Sequence, residues 1–361
     1  MKKIFLSVLA VAALASCTKM DTAYEAPQEI GFVAVGNNIT KAPVNADVYP
    51  TGLNMYVNAY VHSTTAPTSP DYINNGEFTH REAQVGGNEV WGGVTPYYWP
   101  NEKTLHFSGY SKSGSFTSAA YNPSTDKLTI TGYNPGTNTA EGANDLMWFP
   151  STKYTTAGGY DKRTPCVPVS MYHTCSWITF MVQGDITTGA SNSSYKITSL
   201  TMNGVDMTAN VVCTGNAALA QSTIPTYVVW SDNDDQENAT AYTVDVTDGG
   251  VELKSTYSSE TSKSPKNVET GATTTTGGNI VVIPQKPGTI NLAWTYKSST
   301  NSDVNDSATG LSLKLNNDNT LKWEPGKHYI YTITIKANEI LIAPTPVDWI
   351  DGEGNGNVTV E

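Results

Sequence analysis

Hydrophobic and polar residues alternate with a period of two along several segments of the chain. In the segment Leu53 to Val61, LNMYVNAYV, every second residue is apolar, while Asn54 and Asn58 fall on the opposite face. The same alternation recurs in TINLAWTY and in KHYIYTITIK further along the chain. Because successive side chains of a strand point to opposite faces of its sheet, this pattern predicts half-buried β-strands.

The sequence predicts little helix. Gly, Pro or Asn interrupts nearly every stretch with apolar residues at helical spacing, and the chain of 361 residues contains 30 Gly and 20 Tyr. Short strands separated by turns predict an all-β protein with two tandem antiparallel β-sandwich domains. The polar stretch QGDITTGASNSS places the domain boundary, giving an N-terminal domain over 42–187 and a C-terminal domain over 188–347.

The chain is acidic, with 33 Asp and Glu against 21 Lys and Arg and a net charge of -12. Nucleic acids and anionic membrane surfaces bind proteins through a basic face. We therefore expect no nucleic-acid partner.

Residues 1–16 have the pattern of a secretory signal. Lys2 and Lys3 precede an apolar run that is too short to span a bilayer as a helix. The run ends in LASC, which matches the bacterial lipobox, so Cys17 is the predicted lipid attachment point and first mature residue. The alternative is an ordinary signal peptide with a nearby Cys. The sequence thus predicts an exported protein with a lipid anchor such as palmitate.

The segment 17–41 carries a short predicted strand, EIGFVAVG, whose alternating apolar residues are Ile30, Phe32 and Ala34. An Asn-rich loop follows, in which Lys41 and Ala42 precede a proline. An exposed basic residue in a turn is a good protease substrate. Cleavage between Lys41 and Ala42 would remove the lipid and the first strand together.

The C-terminal tail, residues 348–361, contains three closely spaced glycines followed by a short alternating stretch with Val358 and Val360. A sandwich that has lost a strand has an open edge and an apolar groove, which a strand of another chain can fill. The tail fits the role of such a donor, and the head-to-tail contact would build a filament. A frayed terminus is the alternative.

The sequence contains no recognisable catalytic or cofactor motif. The five histidines are widely separated, and the glycine-rich tail is not followed by a predicted helix that could bind phosphate. The acidic stretch 232–237 lacks the features of an EF-hand loop. We therefore expect no enzyme activity, cofactor or metal, although a pair of glycosidase carboxylates would not be visible as a local motif.

The mature cysteines other than Cys17 leave alternatives open. A disulfide between Cys166 and Cys175 and a set of three reduced thiols including Cys213 are both compatible with the sequence. A zinc site formed by these cysteines with His173 lacks any close C-x-x-C spacing.

Four aromatic residues lie close together in VWGGVTPYYWP, namely Trp91, Tyr97, Tyr98 and Trp99. Exposed, they would form a stacking surface for sugars; buried, they would be ordinary core residues. A surface-exposed glycan-binding lipoprotein is therefore the alternative function.

Several segments resemble the Bacteroidales fimbrillins, the type V pilins that include the major fimbrial subunit and Mfa-like lipoproteins. The resemblance spans nearly the whole chain and includes LASC, NITKAPV, YYWPNEKTLHFSGYS, NDLMWFP, VPVSMYHTCSWITFMV, KITSLTMNGV and WEPGKHYIYTITIKANEILIAPTPVDW. It implies two transthyretin-like β-sandwich domains, export to the outer membrane, proteolytic removal of the first strand, and polymerisation by strand exchange. The implied function is that of a structural pilin precursor of adhesive surface fimbriae, with other fimbrial subunits and surface glycans or proteins as partners.

Residue by residue, the resemblance implies acylation at Cys17, processing at Lys41–Ala42, and donor side chains Ile350, Val358 and Val360. One residue departs from the family pattern, because well-known members are cut after Arg and this chain has Lys41. Either the protease differs or the subunit is not processed there. An unprocessed subunit would be a non-polymerising anchor or tip.

Overall fold

The computed structural model describes residues 28–34, 49–85, 88–101, 103–136, 144–151, 166–185, 195–215, 223–231, 239–253, 264–275, 278, 280–297, 302–315, 321–336 and 340–348. Within these ranges the protein is built from β-strands, with one short helix, α1 (Ile224–Tyr227). The predicted all-β fold is confirmed. Over the same ranges, no helix is long and apolar enough to cross a membrane.

The first sheet has eight strands: β1 (Gly31–Ala34), β2 (Met55–Val61), β3 (Ile73–Val85), β4 (Asn88–Gly93), β5 (Leu105–Ser111), β8 (Met147–Phe149), β9 (Val167–Val169) and β10 (Tyr172–His173). Their order is β10-β8-β5-β2-β3-β4-β1-β9. The sheet is curled, as the distances between ring centroids show: Phe32 on β1 lies 5.2 Å from Phe107 on β5 and 6.1 Å from Phe149 on β8. Both ends of the sheet therefore enclose one hydrophobic core.

A four-stranded sheet packs against the face of β2 and β5 that points away from this first core. It comprises β6 (Ser118–Asn122), β7 (Lys127–Tyr133), β13 (Ala209–Thr214) and β14 (Val228–Ser231), in the order β14-β13-β7-β6. Tyr60 and Tyr110 of the first sheet share a second core with Ile130 and Val211 of this one. Alternate residues of β2 and β5 thus serve two different cores, as the period of two requires.

The remaining strands form two further sheets. One has the order β17-β11-β21-β22, with β18 also paired to β11, and its strands are β11 (Ser176–Asp185), β17 (Lys266–Asn267), β18 (Ile280–Val282), β21 (Lys327–Lys336) and β22 (Ile340–Asp348). The other has the order β15-β12-β19-β20, with β16 also paired to β12, and its strands are β12 (Tyr195–Asp206), β15 (Ala239–Val244), β16 (Val251–Leu253), β19 (Thr289–Lys297) and β20 (Asp303–Ser312). Both sheets contribute side chains to a third core, so they form a β-sandwich.

Strand pairing crosses the predicted boundary between residues 187 and 188 in both directions. β11 precedes that boundary but pairs in parallel with β21 from Trp177 to Asp185, and β13 follows it but pairs with β7. Polar stretches with weak patterning occur within domains as well as between them. The boundary and the transthyretin-like arrangement of two domains stay predictions.

Candidate strand-exchange site

The N-terminal strand segment, residues 28–34, lies inside the first sheet. Its strand β1 runs antiparallel to β4 and parallel to β9, so that Phe32 lies opposite both Trp91 and Val167. Before β1, the backbone N–H of Ile30 donates to the carbonyl oxygen of Tyr97 at 2.8 Å. The segment is therefore held by backbone pairing along its length, and β1 has a neighbour on each side.

The side chains of Ile30, Phe32 and Ala34 all face the core of the curled sheet, where Phe32 is fully buried. Three aromatic rings surround Phe32, and we call this cage the Phe32 pocket: Phe78 at 4.9 Å, Phe107 at 5.2 Å and Phe149 at 6.1 Å between centroids. Two of the three contacts are edge-to-face, an arrangement that adds to the stabilisation from burial. Phe32 is thus the central anchor of the segment.

On its other face, the segment lies close to its neighbours at Gly31, so a larger residue there would make a tight contact. A Cβ atom placed there would lie 3.2 Å from the sulfur of Cys166 and 3.5 Å from a methyl of Val90. Val33 and Val90 are both buried on this face. Sequence analysis did not single out Gly31, although a glycine within a strand signals close approach of a neighbouring chain segment.

Removal of the N-terminal strand segment would leave a groove between β4 and β9. The N–H and C=O groups that β1 now satisfies on these strands would lose their partners. The Phe32 pocket would lose its occupant and become an apolar depression in that groove. Such a site suits the addition of a β-strand, through backbone hydrogen bonds and side-chain pockets.

The last described strand, β22, is held differently from β1. Among the described strands it pairs with β21 alone, and it forms an edge of its sheet. Every side chain from Ile340 to Pro346 is at least partly exposed, and Leu341 is 43% exposed. Pro344 and Pro346 have no N–H to donate, and proline within a sheet is confined largely to edge strands. β22 therefore lies at an edge of its sandwich.

The remaining predicted site residues lie outside the described ranges. These residues are Cys17, Lys41, Ala42, Ile350, Val358 and Val360. Lipidation, processing and strand donation at these positions stay predictions.

The two tryptophans of the aromatic cluster are buried and do not form a sugar-stacking surface. Trp91 is fully buried, and its indole N–H donates to the carbonyl oxygen of Leu53 at 3.0 Å. Trp99 is 5% exposed and packs edge-on against Phe107, whereas Tyr98 is 45% exposed. The alternative glycan site at Trp91 and Trp99 is therefore wrong, because both rings belong to the core that surrounds Phe32.

The cysteines that sequence analysis left open are free thiols in the structure, so the alternative disulfide between Cys166 and Cys175 is not formed. Burial raises the pKa of the thiols of Cys166, Cys175 and Cys213 above their usual value. His173, the fourth residue of the alternative zinc site, lies with its Nδ1 2.6 Å from Oδ2 of Asp145. Across the described part of the chain, no cluster of three or more His, Cys, Asp or Glu could hold a metal ion.

Comparisons with solved structures find fimbrial proteins at low sequence identity. A fimbrial protein from Bacteroides vulgatus matches at 16% identity and a TM-score of 0.49, covering 83% of this chain and 93% of its own. A fimbrial assembly protein from Parabacteroides distasonis matches at 10% identity and a TM-score of 0.37, covering 88% and 95%. The tip fimbrial protein Mfa3 from Porphyromonas gingivalis, with a C-terminal truncation, matches at 12% identity and a TM-score of 0.30, covering 90% and 100%.

A search of curated proteins found no match. The family model described as Fimbrillin-like matches residues 40–349. That match spans most of the sequence and includes every strand from β2 to β22. The chain belongs to the fimbrillin-like family.

Proposed function

We propose that this protein is the precursor of a structural subunit of cell-surface fimbriae that supports adhesion and has no enzymatic activity. It is exported as a lipoprotein acylated at Cys17 and held at the outer membrane. Membership of the fimbrillin-like family supports this assignment. Other fimbrial subunits are its partners.

Assembly proceeds by strand exchange at the groove that the N-terminal strand segment now fills. Proteolysis between Lys41 and Ala42 separates that segment from the rest of the chain. A C-terminal tail with donor side chains such as Ile350, Val358 and Val360 then enters the groove of a neighbouring subunit. The internal position of β1, with a strand on each side, is the observation that carries the proposal.

The contrast between the two termini supports the direction of exchange. β1 contributes buried side chains to a core, whereas β22 lies at an edge with its side chains partly exposed. A removable internal strand supplies an acceptor groove, and a chain end leaving from an edge supplies a donor. A subunit that kept its N-terminal strand because Lys41 is not cut would be an anchor or a tip.

A disulfide between β1 and the start of β9 would test whether the segment must leave. A Cβ atom placed at Gly31 would lie 3.2 Å from the sulfur of Cys166. In a disulfide, the Cβ of one cysteine lies roughly 3 Å from the sulfur of the other, so the two distances agree closely. In a Gly31→Cys variant expressed in the native host, the new disulfide would retain the strand after cleavage. We expect the sheared surface fraction to lack polymers until a reducing agent is added.

The matched control is the double variant Gly31→Cys/Cys166→Ser, which has the same new side chain without its disulfide partner. We expect it to form polymers with or without reducing agent. Electron microscopy of the sheared fraction and non-reducing electrophoresis of the cleaved subunit are the measurements. Polymers made from subunits whose disulfide is intact would contradict strand exchange at this groove.

A further inference from the structure

The groove that the N-terminal strand segment occupies selects for a particular order of side chains. Ile30 and Phe32 face the core, and the glycine between them faces the sulfur of Cys166 on the other side of the sheet. An incoming strand in the same register would therefore place an aliphatic residue, a residue without a side chain and an aromatic residue in succession. This inference rests on the proposed function, since it concerns which strand fills the exchanged position.

The Phe32 pocket demands an aromatic ring. Phe78, Phe107 and Phe149 approach Phe32 from three directions, and Phe107 is in turn packed against Trp99. A smaller side chain would leave a cavity among rings that belong to the strands of a curled sheet and cannot all move inward. Valine is the largest apolar residue that the tail's strand, NVTVE, could place there.

The position of Gly31 disfavours the tail for a second reason. If Val360 entered the Phe32 pocket, Thr359 would stand at Gly31, where even a Cβ atom lies 3.2 Å from the sulfur of Cys166. If Val358 entered the pocket instead, Asn357 would stand there. In either register the segment NVTVE underfills the pocket and makes a tight contact at the glycine position.

We propose that this groove accepts a strand from a different fimbrial subunit, one that carries the order aliphatic residue, glycine, aromatic residue. The tail of this chain enters a groove of another subunit type. The protein therefore occupies a junction between unlike subunits and does not build a filament of identical copies.

This preference can be measured by strand exchange in a protein that has been cleaved but stays folded with its first strand bound. The full-length chain would carry a sequence-specific protease site between residues 36 and 41, so that cleavage after folding leaves residues 28–34 bound without a covalent link. Native mass spectrometry then follows replacement of the bound strand by synthetic peptides, in urea below the unfolding transition. A copy of residues 27–35 is the positive control.

Three versions of the tail peptide, residues 353–361, isolate the side-chain order. The first is unchanged; the second carries Thr359→Gly and Val360→Phe; the third carries Val358→Phe and Thr359→Gly. The second and third peptides have the same composition, and only the second presents valine, glycine and phenylalanine in the order of Ile30, Gly31 and Phe32. We expect the second to replace the bound strand at least roughly tenfold faster than either of the others.

The outcomes separate the two proposals. An unchanged tail, or the reversed order, that exchanges as fast as the matched peptide would overturn the preference for an unlike donor while leaving strand exchange intact. Failure of every peptide, including the copy of residues 27–35, would overturn the preference and the proposed function together.

Discussion

Acidification should destabilise this protein through His328 on β21. The imidazole is buried and stacks on the indole of Trp177, its partner on β11, with ring centroids 3.6 Å apart and planes inclined by 9°. Its Nε2 lies 2.8 Å from the hydroxyl oxygen of Thr179. Burial lowers the pKa of His328 from 6.5 to about 3, because the interior disfavours the charged ring.

The sign of the effect follows from proton binding. Between pH 6.5 and pH 3 the unfolded chain protonates this histidine while the folded chain keeps it neutral. The unfolded state thus binds more protons, and stability falls as the pH falls through this window. Each pH unit below 6.5 costs about 1.4 kcal/mol, so the loss from His328 at pH 5 is about 2 kcal/mol.

Urea unfolding at pH 7 and pH 5, followed by circular dichroism, tests this magnitude in the wild type and in His328→Gln. The glutamine keeps a polar group near Thr179 but does not titrate in this range. We expect the variant to lose about 2 kcal/mol less than the wild type between the two pH values. The other histidines are common to both proteins, so their contributions cancel in the comparison. Equal losses in the two proteins would refute the argument that burial keeps His328 neutral.

Two further substitutions test the polar contacts of the first sheet. Asp145→Ala should lower the free energy of unfolding by about 3 kcal/mol, because it removes the carboxylate partner of buried His173. Asp145→Asn should lower it less, because an acceptor oxygen remains. Thermal unfolding of both variants measures the difference. Asn75→Ala should lower the free energy of unfolding by about 1 kcal/mol more than Asn75→Gly, because Asn75 has a φ of 49° that glycine tolerates. Both changes remove the side-chain hydrogen bonds to Ala119 and Tyr110, so this loss is common to the two variants. Equal urea midpoints would contradict this reasoning.

Side-chain alternation was sufficient to locate several of the strands, because it reflects which face of a strand is buried. The segment from Leu53 to Val61 contains β2, and the two later alternating segments correspond to β19 and β21. The short strand predicted around Phe32 is likewise present, as β1. These are local properties of the chain, and each can be recognised without knowing which strands are neighbours.

Strand pairing could not be obtained in the same way, because it depends on contacts between residues far apart in sequence. Nothing local to β13 indicates that it pairs with β7, and nothing in β11 indicates that its parallel partner is β21. Trp91 and Trp99 illustrate the same limit, since an aromatic residue suits a core and a sugar-binding surface equally well. Only the fold shows that both belong to the core around β1.

Burial of the N-terminal strand segment also explains why strand exchange would require proteolysis. Truncating a buried Phe costs about 3–5 kcal/mol and a buried Ile about 2–5 kcal/mol, so withdrawing Phe32 and Ile30 together costs at least about 5 kcal/mol. Since 1.4 kcal/mol is a factor of ten, fewer than about one molecule in a few thousand would have an open groove at equilibrium. The intact precursor is then closed to donor strands. Under the proposed function, cleavage at Lys41–Ala42 is therefore the step that determines when a subunit can join a fimbria.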